Sequence, residues 1–469
     1  MDYYIRRVSI DGLFEEGNDY RIDLSEGCNC IYGGNGTGKT TIINLIVNSL
    51  NVELESLAQT GFETISILLA KSGKRRAEKF FTITRESDVE NRWGVIKLKY
   101  HLEGEEKARL FTIRMRGDSA RTNEKYEEQA ETLKKKLNAP LNLTHVPLLR
   151  MHDSELFGAR DRDDYLYTQL RHRKLSQAQI SEIMDPSVRV LNNLQHQFIS
   201  QANENRKTLT VKLEDLKSKL IEKVMMDNDS IKQSSNAFKK ISTAMKSQVK
   251  EVDVDAYVTK LSDVGIDVPE DKIKEHFGAW RHLNESVKRN YDALRLIEDD
   301  EESTNKKKAE AFERFNESYF NFFSMTHIHD RFLSVVEDVE KMQDEKSLLS
   351  KAFVDYEKEV NQYLGGKKEF ILSEEGRFFV SSGTREVRLS DLSSGEKHIL
   401  SILGKAALSS AEGAVFVADE PELSLHLDWQ RMILPSIIKL SPKSQIIVAT
   451  HSPSIHAKGA TEIDLEDCV

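Results

Sequence analysis

Two short stretches of this sequence hold residue types at spacings that suit phosphate chemistry. Gly33-Gly34-Asn35-Gly36-Thr37-Gly38-Lys39-Thr40 fits the pattern G-x-x-x-x-G-K-[ST]. Glycines let backbone N–H groups curl around a phosphate, and a helix that follows turns its positive end towards it. Lys39 is expected to reach the β- and γ-phosphates of a nucleoside triphosphate, and the Thr40 hydroxyl to ligate Mg²⁺. Val415-Phe416-Val417-Ala418-Asp419-Glu420 is an apolar run ending in two carboxylates. Asp419 is expected in the Mg²⁺ shell, with Glu420 placed to take a proton from an attacking water. Plainer readings are a Gly-rich turn for the first stretch and an acidic helix start for the second, since Pro421 and Glu422 follow. Each stretch makes the other more credible.

Two further segments bear on how such a site is completed. Leu392-Ser393-Ser394-Gly395-Glu396 precedes a helix expected near Lys397, so hydroxyl and backbone donors gather at a helix N-terminus. A phosphate already held by Lys39 leaves no room for this segment in the same chain, which places it against the γ-phosphate of a second copy. The plainer reading is an ordinary N-cap. Ala449-Thr450-His451-Ser452-Pro453 ends the last apolar strand, with His451 set to touch the γ-phosphate. The expected site therefore binds ATP and Mg²⁺. Its ATP contacts are Gly33, Asn35, Gly36, Gly38, Lys39, Thr40 and Thr41, with Ser393, Ser394, Gly395 and Glu396. Thr40 and Asp419 hold the metal, and Glu420 and His451 are the catalytic pair.

The elements that must position these residues fall into two lobes. Strands are expected at Tyr4–Ile10, Cys28–Tyr32, Phe62–Ala70, Lys79–Arg85, Val95–Leu102 and Arg109–Arg114, around one helix at Thr40–Asn51. Strand and helix alternate again from residue 369, with apolar strands at Ala414–Ala418 and Gln445–Thr450, as in parallel strands buried on both faces. Between the lobes the period lengthens. Leu209, Leu213, Leu216, Leu220 and Val224 recur at threes and fours. From Phe332 the stripe Val335, Val339, Met342, Lys346, Leu349, Phe353, Tyr356 and Val360 does the same, broken only by Lys346. No proline lies between Glu270 and Glu420. This predicts a helix–helix seam, most simply an antiparallel coiled-coil arm leaving near residue 190 and returning near 360, with turns at Gly265–Pro269 and Asp299–Lys308. A plain helical bundle would give the same stripe.

The 469 residues carry a formal net charge of −10, which argues against a surface binding nucleic acid throughout. Basic clusters at Lys74–Arg76, Lys134–Lys136 and Arg171–Lys174 read as solvated surface. Three cysteines, Cys28, Cys30 and Cys468, make no disulfide framework, and the first two read as small buried hydrophobes. There is no signal-peptide pattern at the start and no apolar run near the roughly 18 residues of a membrane span. A soluble, cytoplasmic protein with no membrane partner is expected.

The order of these motifs resembles the ABC ATPase family, in the branch holding the SMC, RecF and OLD-like (AAA_21-type) proteins and the zinc-hook repair ATPases. Gly33–Thr40 matches its Walker A motif, Leu392–Glu396 its signature, Val415–Glu420 its Walker B and His451 its switch histidine, while Glu420–His426 is similar to the D-loop region of the RecF/OLD-like branch. The resemblance implies an α/β fold, an ABC-type P-loop ATPase head of mixed sheet and flanking helices interrupted by a long helical, antiparallel coiled-coil insertion. Its lobes would span residues 1–155 and 366–469, with the insertion at 156–365. A Q-loop glutamine is missing, and His145–Arg150 stands in its place. The insertion has no cysteine for a zinc hook, and the chain ends soon after His451, so any nuclease is expected as a separate protein. The chain also resembles the ATPase components of bacterial anti-phage systems, PARIS above Septu on size, short arm and early Walker A loop. That likeness implies a head-to-head dimer or larger homo-oligomer, a nuclease effector (Toprim or HNH) and a phage-encoded protein trigger. A RecF-like or zinc-hook-like repair role, with DNA as partner, is the less favoured alternative.

Overall fold

A computed structural model describes residues 3–34, 36–71, 78–88, 94–116, 119–122, 124–138, 141–146, 185–224, 254–263, 268–300, 304–412 and 414–469. They divide into two compact units: residues 1–202 with 351–469, and residues 203–350.

The first unit opens with β1 (Tyr3–Asp11), β2 (Tyr20–Asp23), β3 (Cys28–Tyr32), α1 (Lys39–Asn51), α2 (Leu54–Gln59) and β4 (Thr64–Lys71). It continues through β5 (Glu78–Asp88), β6 (Val95–Leu102), β7 (Arg109–Arg116), β8 (Ser119–Arg121), α3 (Glu127–Asn138) and β9 (Thr144–Val146). A seven-stranded antiparallel sheet runs β2-β1-β4-β5-β6-β7-β8. Its strands alternate: Ile96, Leu98, Tyr100 and Leu102 of β6 are buried while Lys97 and Lys99 face outwards. The sequence predicts one helix in this lobe, and α2 and α3 are additional. Among the described side chains of α3 only Leu133 and Leu137 are buried, an i,i+4 pair too narrow to read as an amphipathic stripe.

Beyond the insertion lie β10 (Glu369–Leu372), β11 (Phe378–Ser382), β12 (Arg385–Val387), β13 (Val415–Asp419), β14 (Gln445–Ala449) and β15 (Thr461–Asp464). β10, β11 and β12 form a small antiparallel sheet. A five-stranded parallel sheet runs β15-β3-β14-β13-β9. Every residue of β13 and β14 is buried. Val415, Val417, Ile447 and Ala449 join one core, and Phe416, Ala418, Ile446 and Val448 join a second on the opposite face, which is why both strands read as unbroken apolar runs. Cys28 and Cys30 sit in that second core as small hydrophobes. Gln445 and Asp419 are the buried polar exceptions in β14 and β13, and Gln445 is fully paired. Its Oε1 accepts Ile5 N–H at 2.9 Å, and its Nε2 donates to Ile5 O at 2.8 Å and Ser25 O at 2.7 Å, joining the start of β14 to the antiparallel sheet.

The helices of the insertion are α4 (Pro186–Val224), α5 (Val254–Asp263), α6 (Glu270–Glu298) and α7 (Asn305–Leu364). In the second unit, α4 and α7 run antiparallel. Asn205 Nδ2 donates to Leu349 O at 3.1 Å, Lys212 pairs with Glu345 at 2.6 Å, and Leu216 packs in one cluster with Val339. The expected stripe is real: Val339, Phe353, Tyr356 and Val360 are buried and Lys346 is exposed. Leu220 and Val224 lie outside the residues whose side chains are described. In the first unit, Phe198 of α4 stacks on Tyr356 of α7 at 5.1 Å. The α/β head with a long helical insertion is thus the fold. Among the described residues no helix is long and apolar enough to cross a membrane.

Candidate nucleotide-binding site

Three strands of the parallel sheet end level with one another. Ile31 of β3 pairs with Ala449 of β14, which pairs with Asp419 of β13. The loops leaving those ends therefore meet along one rim, where open α/β sheets bind ligands. They carry Gly33–Gly38, Thr450–His451 and Glu420.

The first loop is built by glycine. Gly36 and Gly38 have φ of 84° and 88°, the left-handed region, and Gly38 caps α1. A Cβ on Gly38 would also stand 3.2 Å from the Phe14 ring. Lys39 is buried, and its Nζ donates to the carbonyls of Gly33 at 2.8 Å and Gly34 at 2.7 Å, so the amine lies inside the loop. The first turn of α1 carries no acidic residue to oppose an anion. Thr40 and Thr41 are half-buried there. Asn35 lies outside the described residues.

Asp419 is almost wholly buried at the end of β13. Glu420 N–H extends the ladder to Ala449 O at 2.8 Å, and its φ of 46° then turns the chain away. His451 Nδ1 lies 3.1 Å from Glu420 Oε1. A hydroxyl and one carboxylate are hard oxygen donors that fit Mg²⁺, which keeps water and phosphate in its shell. No protein-only metal cluster of three or more His, Cys, Asp or Glu occurs among the described residues.

Among the described residues, Leu392–Glu396 makes no hydrogen bond or ion pair to Lys39, Asp419, Glu420 or His451. It opens the helix α8 (Ser394–Glu412), with a capping box in which Glu396 Oε2 accepts Ser393 N–H at 2.8 Å and Ser393 Oγ accepts Glu396 N–H at 3.3 Å. Burial opposes the charge on Glu396, but the Lys368 ammonium on both oxygens and the Ser393 donors hold its carboxyl below the usual range. Glu396 thus shapes the turn, while Ser393 and Ser394 are exposed. Gly395 is buried where a Cβ would meet Ser424 O at 3.2 Å and Trp429 at 3.3 Å, so α9 (Leu427–Leu440) and the loop before it press on it. Lys397 pairs with Asp185 at 2.9 Å, just ahead of α4.

In the place of the absent glutamine, β9 runs beside β13, and burial pushes His145 down to about 4, helped by nearby Lys405. Residues 147–150 lie outside the described ones. Phe14, Glu422 and Thr450 were not singled out by sequence reasoning. Phe14 is 56% exposed at φ 68°, a position that no periodicity marks.

A parallel sheet whose rim gathers a glycine loop, a buried lysine, two carboxylates and a histidine defines a P-loop ATPase head. The chain belongs to the family described as AAA ATPase domain (AAA_15), whose profile matches residues 4–456. No curated protein matches the chain. Similar solved structures include an Smc head domain with an extended coiled coil bound to the C-terminal domain of ScpA, from Pyrococcus furiosus. It is 12% identical with a TM-score of 0.37, over 97% of this chain and 91% of that one. An SmcHead bound to the C-winged helix domain of ScpA is 11% identical with a TM-score of 0.40, over 96% and 90%. An Smc head with a coiled coil and joint from Pyrococcus yayanosii is 14% identical with a TM-score of 0.37, over 97% and 93%.

Proposed function

We propose that the chain hydrolyses ATP in composite sites, each made by two copies. The phosphates lie in Gly33–Gly38 with Lys39; Thr40 and Asp419 would hold Mg²⁺, which would supply positive charge against the phosphates. Glu420 takes the proton of the attacking water. His451 stands beside that carboxylate, its Nδ1 3.1 Å from Oε1. Ser393, Ser394 and Gly395 of the second copy close on the γ-phosphate, with Glu396 shaping their turn. The observation that carries this reading is the convergence of the Lys39 loop, Asp419, Glu420 and His451 on one rim while Ser393 and Ser394 stand exposed at the start of α8. Glu420→Gln, with slowed turnover, is expected to accumulate as a dimer in ATP. Light scattering that finds only monomer under ATP would reject the composite site.

The finer reading is a sensor and scaffold of an anti-phage system that oligomerises and holds a separate nuclease, PARIS-like with a Toprim effector before Septu-like with an HNH effector. It rests on the resemblance of the motifs. A DNA-repair role is less favoured. Of the three basic clusters, the one within the described residues is neutralised, Lys134, Lys135 and Lys136 pairing with Glu53, Glu131 and Glu105. Co-purification with a nuclease whose activity follows ATP state supports the defence reading. Tight DNA binding that weakens steeply with salt would replace it with repair.

A further inference from the structure

A second acid stands two residues beyond Glu420. Glu422 is 4% exposed, and its Oε1 accepts the hydroxyl proton of Thr450 at 2.5 Å. The same Thr450 oxygen accepts Ser452 N–H at 3.0 Å, and Thr450 N–H donates to Ile31 O at 3.0 Å. Thr450 thus ties together the acidic loop, the histidine loop and the strand that feeds the phosphate loop. Two contacts join the acidic loop to neighbouring residues of the histidine loop: Glu422 to Thr450, and Glu420 to His451. The acidic loop is itself fixed, since His398 Nε2 donates to Pro421 O at 2.9 Å and Leu425 N–H to Glu422 O at 3.0 Å.

Burial pushes the Glu422 carboxyl up against the pull of the Thr450 hydroxyl. Its Oε2 has no hydrogen-bond partner among the described residues, so the side chain is not the hub of a wider structural network. A buried acid held by one hydroxyl costs stability, and an apolar residue would fill the space more cheaply.

We propose that Glu422 is a positioning residue for hydrolysis: it anchors Thr450, and through Thr450 sets the His451 ring against Glu420. This rests on the reading of Glu420 and His451 as the hydrolytic pair. The test is steady-state ATP turnover by the full chain in Glu422→Ala, Thr450→Val and His451→Ala, alone and combined. Glu422→Ala and Thr450→Val are each expected to lower kcat roughly 10-fold, the scale of lost orienting partners, with KM within about twofold. Added to His451→Ala, neither should lower kcat further, because its effect passes through that ring. Glu422→Gln, which keeps an acceptor oxygen, should recover most of the rate. Thr450→Val nearly preserves shape and keeps the test readable if Glu422→Ala does not fold. Losses that multiply with His451→Ala, or unchanged kcat in Thr450→Val, overturn the positioning role alone. Wild-type turnover by His451→Ala itself overturns the parent reading and this one with it.

Discussion

His451 and Glu420 leave adjacent parallel strands at the same rim, with His451 Nδ1 3.1 Å from Glu420 Oε1. The carboxylate side is the more enclosed, 16% exposed against 41% for the histidine, so the acid is held and the ring reaches outwards. Nδ1 faces Glu420, which leaves Nε2 as the ring nitrogen for a phosphate oxygen.

His451→Ala is therefore expected to lower kcat roughly 100-fold while ATP affinity changes little, as when one transition-state donor is removed. Single-turnover hydrolysis beside equilibrium binding of a fluorescent ATP analogue separates the two. Equal losses in both would place His451 in binding instead.

Lys39→Ala removes the one ammonium set inside the glycine loop, where it lies on the Gly33 and Gly34 carbonyls. Nucleotide binding is expected to weaken by roughly 100-fold or more, since charge-assisted phosphate contacts are the strong ones. Calorimetric titration with ATP and Mg²⁺ checks this, and wild-type affinity would remove the loop from the site.

Gln445→Ala leaves the Ile5 N–H and the Ile5 and Ser25 carbonyls without their buried partner. Unfolding free energy is expected to fall by about 3 kcal/mol, the scale of several buried groups left unmet. Denaturant titration of the first unit's signal measures it, and a loss below about 0.5 kcal/mol would mean that water replaces these bonds.

His329 gives the second unit a pH dependence. Burial pushes it down to about 4 with help from His276, whose Nε2 is 3.1 Å away, against a small pull from Asp330, and Trp280 stacks on its ring at 4.3 Å. A group with a lowered folded-state value binds protons more readily when unfolded, so its contribution is full above about 6.5 and is lost as pH falls towards about 4. Melting of the second unit should drop across that window, and His329→Phe should flatten the drop. An unchanged slope in His329→Phe would assign the dependence to other groups.

Much of this was legible in the sequence because the signals are local. The glycine spacing at Gly33–Gly38 dictates a left-handed loop ahead of a helix wherever it sits, and φ of 84° and 88° at Gly36 and Gly38 follow from it. The unbroken run Val415–Ala418 marks a strand with a core on each face. The heptad from Phe332 marks a seam, and α7 buries it. The polar helix α3 escaped because two leucines on one face are too few to register.

By itself the sequence determined which local pieces exist: a phosphate loop, a strand tipped with two acids, a capped helix start and a long helical insertion. Only tertiary structure decided which pieces meet. β3, from the first tenth of the chain, lies between β14 and β15 from the last, and that order puts the Lys39 loop on the same rim as His451 and Glu420. Gln445 bonds Ile5 across 440 positions, and Thr450 chooses Glu422 as its partner. Strand order and register come from pairing and burial between distant segments, for which periodicity along the chain carries no signal.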